Sequence, residues 1–151
     1  VDVDGSETFT ADDLLISEGK GMTNNLVQAY INSGKSQLAV MEVEGPSISH
    51  YGVVVLGKDG ESVTGLVEKP DASAAPSNLA SIGRYVLTSD IFHVLRQQPA
   101  GSGGEIQLAD AIDRIAQDGK VEIVMFNGKR FDCGSMEGYV RGFSYVASRI
   151  S

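Results

Sequence analysis

The chain has 151 residues, 42% of them hydrophobic and 21% charged, with a formal net charge of -8. That is enough polypeptide to bury one ordinary core, and the acidic balance argues against nucleic acid or an anionic membrane as the main partner. The single cysteine, Cys133, leaves no internal disulfide, no apolar run approaches the ~20 residues of a membrane span, and no secretory signal pattern is visible, so a cytoplasmic setting is expected.

Residues 1–10 are polar and acidic with no buried-strand pattern, and are expected to be irregular and to stand outside a domain of residues 11–151. From Met22, the apolar positions Met22, Leu26, Ala29 and Tyr30 follow helical spacing, and Gly34 is placed to stop that helix. Gln37 to Val43 reads as a buried strand. Val53–Leu56 and Ser62–Val67 flank Lys58-Asp59-Gly60, a strong hairpin signal that puts Gly52 and Glu68 at one open end. Pro70 blocks strand continuation, and residues 71–77 read as a loop. Ala80 to Leu87 is a further strand, followed by Thr88 or Ser89 as the cap of a short helix through Arg96. Ser102 and Glu105 match a capping box, with Leu108, Ile112, Ile115 and Ala116 on the core face of the helix and Gly119 at its end. Val121 to Phe126 is a strand, Asn127-Gly128 a turn, and Ser135 to Ile150 a helix with one apolar face: Met136, Tyr139, Val140, Phe143, Val146, Ala147 and Ile150. Alternating strands and helices with one hairpin predict an α/β architecture with a mixed sheet and flanking helices.

Glu68-Lys69-Pro70 carries the sharpest chemistry. Neighbouring side chains on a strand point to opposite faces unless the strand breaks, and Pro70 supplies a break. A carboxylate there can accept bonds from sugar hydroxyls, and an ammonium can neutralise phosphate. A solvated strand end is the plainer reading of these three residues alone. Asp132, in Phe131-Asp132-Cys133-Gly134, would on its own be a helix N-terminal charge. Asn78 suits a sugar hydroxyl or a turn. Glu105 reads as a cap, and Cys133 as a structural thiol. His50 and His93 have no ligand spacing around them.

Five motifs in fixed order change the weighing: Tyr51-Gly52-Val53-Val54, Glu68-Lys69-Pro70, Asn78-Leu79-Ala80 leading into Gly83-Arg84-Tyr85, Gly103 to Ile112, and Phe131 to Gly134. Together they resemble the C-terminal half of bacterial UTP–glucose-1-phosphate uridylyltransferases, a branch of the sugar-phosphate nucleotidyltransferases, over roughly residues 11–151. The resemblance implies part of a Rossmann-like nucleotidyltransferase fold, with the N-terminal nucleotide-binding half missing. It implies that Gly52, Glu68, Lys69 and Asn78 bind the sugar phosphate, that Lys69 and Asp132 serve catalysis, and that Asp12 and Asp132 hold a magnesium ion. One departure stands out. The family leads into its first aspartate with an apolar strand, whereas Glu7-Thr8-Phe9-Thr10 precede Asp12. Because the half that would cradle the nucleotide phosphates is missing, the chain alone is expected to be inactive. The alternative is a non-catalytic module that binds a sugar phosphate or nucleotide sugar, or that forms a homo-oligomer.

Overall fold

The structure, a computed structural model, describes residues 14–17, 21–100 and 104–150. Asp12, Ser102 and Gly103 lie outside them. Seven strands and four α-helices follow one another along the described chain, in two compact units: Met22–Phe126, and a second unit holding Leu14–Ser17 together with the chain from Asn127.

In the larger unit, α1 (Met22–Ser33) buries Met22 and Leu26. Gly34 ends it at φ +72° and donates its N–H to the Tyr30 carbonyl at 2.7 Å, a left-handed stop that glycine adopts without a Cβ clash. Strand β2 (Ser36–Glu42) follows, then a 3-10 turn at Gly45–His50, β3 (Gly52–Leu56) and β4 (Val63–Glu68). A short 3-10 turn at Ala72–Ala74 leads to β5 (Leu79–Val86), α2 (Asp90–Gln97), α3 (Leu108–Gln117) and β6 (Val121–Met125). The sheet order is β4-β3-β5-β2-β6. Only β2 and β6 are parallel; the other neighbours are antiparallel, so the sheet is mixed as expected.

Ser36 to Val40 are all buried, which suits a strand with a neighbour on each side and helices over its faces. Leu38, Val40, Val54, Val63 and Leu66 pack with Ala111, Ile112, Ile115 and Ala116 of α3. Each such fully buried aliphatic side chain contributes about 1.5–3 kcal/mol. The buried polar side chains of β2 are paired: Gln37 Nε2 donates to Ser33 Oγ at 2.9 Å and to Glu122 Oε2 at 3.1 Å, and Ser36 Oγ accepts the Thr88 N–H at 3.0 Å. The β3–β4 hairpin also reaches β6, where Ile123 donates its N–H to the Glu61 carbonyl at 3.1 Å. Both sheet edges thus converge there around α3. The outer edge of β4 is covered too, because the Leu66 N–H donates to Asp113 Oδ1 at 2.8 Å.

Two sequence expectations in this unit are corrected. The capping box does not start α3: the helix begins at Leu108 with Gln107 as its N-cap, and Glu105 is exposed ahead of it. Leu108 is 38% exposed rather than core, because it opens the first turn instead of sitting on the second. Of the two expected caps of α2, Ser89 takes the N-cap position, without a side-chain bond, while the Thr88 hydroxyl lies 3.3 Å from the Ser36 hydroxyl.

In the smaller unit, β1 (Leu14–Ser17) pairs antiparallel with β7 (Gly128–Phe131), Leu14 opposite Phe131, so Gly128 opens a strand rather than completing a turn. Helix α4 (Met136–Ile150) lies on this ribbon. Its contact is made by a glycine: a Cβ on Gly142 would come within 3.2 Å of Phe131 Cβ and 3.3 Å of Leu14 Cδ2. Among the described residues, the apolar stripe of α4 is not the face that meets the ribbon. Met136 is 79% and Phe143 67% exposed, because the ribbon engages the side of the helix carrying Gly142 and Tyr145.

Candidate functional site

The hairpin brings Gly52 and Glu68 together as register partners at the open end of β3 and β4. A Cβ on Gly52 would lie 3.0 Å from Glu68 Oε2, so the carboxylate folds over bare backbone that any other residue would occupy. One residue on, Lys69 has φ +45°, the one non-glycine residue in the left-handed region among the described residues. Its N–H donates to the Tyr51 carbonyl at 3.0 Å, extending the β3–β4 pairing past the last strand residue. The left-handed step cancels the alternation of a strand. Lys69 Nζ ends 3.8 Å from Glu68 Oε1, both side chains open to solvent at 65% and 41% exposure. Exposed ion pairs contribute only ~0–1 kcal/mol, so stability does not explain the arrangement. A carboxylate, an ammonium and a stretch of accessible backbone on one face can bind a hydroxylated anion.

Asn78 stands just ahead of β5, two positions before Ala80, which pairs with Val53. Its carbonyl accepts the Val43 N–H at 2.8 Å. The residue lines a shallow cleft of about 530 Å3 with Val43, Pro46, Ile48, Ala75 and Ser77. Glu68 and Lys69 do not line this cleft, so Asn78 flanks the pair rather than completing it.

Asp132 belongs to the smaller unit, in the loop between β7 and α4. It does not cap the helix. Ser135 does, accepting the Gly138 N–H on its hydroxyl at 3.1 Å. Asp132 Oδ1 accepts the Gly134 N–H at 3.0 Å, and the residue lines a polar pocket of about 280 Å3 with Arg130, Ser135, Glu137 and Arg141. Gly138 lets the helix approach closely, since a Cβ there would collide with the Asp132 carbonyl oxygen. Cys133 beside it is half-buried. Magnesium takes one or two carboxylates and completes its shell with water and substrate phosphate. The exposed Asp132 carboxylate fits that demand as one hard oxygen donor. No cluster of three or more His, Cys, Asp or Glu among the described residues could hold a metal without such help.

Perturbed acidities lie elsewhere. Hydrogen bonds from Ser62 and Glu61 hold the Asp59 carboxyl down to about 2 at the hairpin turn. The Lys120 hydrogen bond lowers Asp90, and the same contact raises Lys120. Burial pushes Glu122 up, but hydrogen bonds from Lys35, Gln37 and Ser33 outweigh it and hold the group low. These are fastenings of the fold. The Tyr51 carbonyl and Asp113 were not anticipated, because a backbone acceptor and an edge-covering carboxylate leave no signature in residue type.

The nucleotidyl transferase family model matches residues 4–149. The chain belongs to that family. It is 44% identical, over 97% of its length, to a UTP–glucose-1-phosphate uridylyltransferase of Pseudomonas aeruginosa, of which it covers 55%. It is 43% identical over 91% of its length to UTP–glucose-1-phosphate uridylyltransferase 2 of Staphylococcus saprophyticus, covering 49% of that protein. Among solved structures, a UDP-glucose pyrophosphorylase complexed with UDP-glucose superimposes with a TM-score of 0.81 at 38% identity, over 91% of this chain and 54% of that one. A UTP-bound enzyme of the same kind from Acinetobacter baumannii gives a TM-score of 0.73 at 34% identity, over 89% and 48%. The chain thus spans about half the length of the relatives it matches.

Proposed function

We propose that this chain is the sugar-phosphate-binding part of a UTP–glucose-1-phosphate uridylyltransferase. The observation that carries the reading is the corner at the end of the hairpin: the Glu68 carboxylate over Gly52, with the Lys69 ammonium on the same face. In the reaction, a phosphate oxygen of glucose 1-phosphate attacks the α-phosphorus of UTP; the new P–O bond forms as the bond to the leaving pyrophosphate breaks. Gly52 and Glu68 hold the sugar, with Asn78 contributing from the flanking cleft. Lys69 orients the glucose phosphate and offsets its charge, and such positioning with charge neutralisation carries the rate. Asp132, with Asp12, would hold magnesium, which when bound neutralises charge developing on the phosphates. On this reading the protein works in the cytoplasm.

The test is calorimetry with glucose 1-phosphate and glucose as separate titrants. Lys69→Ala should weaken glucose 1-phosphate by about 10-fold or more, the loss of a charge-assisted bond, and leave glucose nearly unchanged. Equal weakening of both would sink the assignment. A 151-residue polypeptide of this sequence should give negligible UDP-glucose from UTP and glucose 1-phosphate; robust formation by a pure sample would contradict that.

Self-association is favoured by a separate observation, the exposed Met136, Val140 and Phe143 of α4. Light scattering should show a species larger than one chain, and a monomer at high micromolar concentration would count against it.

A further inference from the structure

Lys69 breaks a local rule twice. A side chain bearing a Cβ is disfavoured at positive φ, and a residue before proline is pushed toward extended backbone. Lys69 nevertheless precedes Pro70 with φ +45°. All the other left-handed positions among the described residues are glycines: Gly21, Gly34, Gly45, Gly60, Gly83, Gly104 and Gly119. Where this fold needs such a turn for its own architecture, it uses the residue that adopts the turn freely.

Two contacts enforce the conformation. Gly52 pairs with Glu68, and the Lys69 N–H is tied to the Tyr51 carbonyl at 3.0 Å. Neither contact uses the lysine side chain, so both would hold a glycine or asparagine at position 69 equally well. The side chain itself gains little from the fold. It is 65% exposed, and its one ionic contact is 3.8 Å from an exposed carboxylate. Strain of this kind persists where the surrounding structure over-determines it, and it concentrates at functional positions.

We propose that the left-handed backbone at Lys69 is built-in preorganisation: the fold holds this residue strained, at the expense of stability, so that its ammonium shares a face with the Glu68 carboxylate before any ligand binds. In an ordinary extended continuation of β4, Lys69 would project to the opposite face from Glu68. A ligand needing both groups at once would then find only one. The left-handed step sets the pair before any ligand arrives, so less ordering is left for binding to supply. The proposal rests on the sugar-phosphate reading for the identity of the anion, but not for the strain.

The signature is opposite signs on two readouts. Lys69→Gly should raise the thermal midpoint relative to both the wild type and Lys69→Ala, by roughly 2–5 °C for a chain of this size. Lys69→Asn should raise it less. Lys69→Ala should sit near the wild type, since alanine carries the same backbone conflict. The same Lys69→Gly protein should lose the ~10-fold preference for glucose 1-phosphate over glucose expected from a charge-assisted bond. A left-handed residue of purely architectural role would gain stability with ligand preference untouched. In the wild type, a strong intraresidue HN–Hα cross-peak at Lys69 reports the positive φ directly.

Three results would overturn the proposal: a weak Lys69 cross-peak, Lys69→Gly no more stable than Lys69→Ala, or a stabilised Lys69→Gly that keeps the wild-type preference. Inorganic phosphate serves as a second titrant. If phosphate binds and depends on Lys69 while glucose 1-phosphate binds no better than phosphate, the strained cation stands and the sugar-phosphate reading falls.

Discussion

At the scale of single residues, the site depends on what Gly52 lacks. The nearest atom to a Cβ placed there is Glu68 Oε2 at 3.0 Å, the far end of a flexible side chain, followed by Leu66 Cδ1 at 3.5 Å. Gly52→Ala should therefore displace the carboxylate without disturbing the core. Glucose affinity should fall by about 10-fold, the order expected for losing one hydrogen bond to a charged acceptor, with the thermal midpoint nearly unchanged. Calorimetry beside a melting curve checks this, and an unaltered glucose affinity would remove Gly52 from the site. Gly52 and Glu68 were legible in the sequence because an Asp-Gly hairpin fixes which strand ends meet. The geometry of Lys69 was not. Pro70 announced a break, but the tie from Lys69 to the Tyr51 carbonyl that decides its direction is made by backbone atoms common to every residue.

At the scale of elements, the hairpin turn is fastened by one carboxylate. Asp59 Oδ1 accepts the N–H groups of Glu61 and Ser62 at 3.1 and 2.9 Å, and Oδ2 accepts the Ser62 hydroxyl at 2.5 Å. These bonds favour the ionised form and lower the carboxyl from 3.8 to about 2. A group depressed on folding stabilises fully above its unfolded value, and the contribution is lost as pH falls through the folded one. The turn's support should thus be intact at pH 5 and fade as pH falls from about 4 through about 2. Asp59→Asn should flatten that part of the acid limb, and an identical acid limb in the variant would contradict the assignment. Helix α3 owes its place to packing. Ile112 is 1% exposed against β2 and β4 residues, so Ile112→Ala should cost about 2–5 kcal/mol by denaturant titration. Its periodicity exposed that face in advance, whereas its start was misplaced: a Ser-x-x-Glu pattern has the chemistry of a capping box wherever it falls, and Gln107 caps here without a side-chain bond. The stripe on α4 was equally visible, but what it meets was not. Amphipathic spacing says that a face is apolar, not that it meets its own ribbon.

At the scale of the molecule, the two units differ in how much each can bury. The larger has a five-stranded sheet with helices packed on it and a shared core. The described part of the smaller unit is a two-stranded ribbon with one helix, joined by Gly142 against Phe131 and Leu14 and by the Phe131–Tyr145 ring contact at 5.4 Å. A two-stranded ribbon is at best marginally stable alone, and stability is distributed unevenly where buried apolar contact is uneven. Native-state hydrogen exchange should therefore rank the amides: Leu38 to Val40 of β2 slowest, near the global unfolding limit, and β7 with the first turns of α4 faster by orders of magnitude. The consequence reaches the chemistry, because Asp132 belongs to the smaller unit while Glu68 and Lys69 belong to the larger one. If α4 associates with a second copy through its exposed stripe, its protection should rise with protein concentration while that of β2 stays fixed. Uniform exchange across both units at every concentration would reject this hierarchy and with it the idea that the carboxylate and the cation are held with unequal firmness.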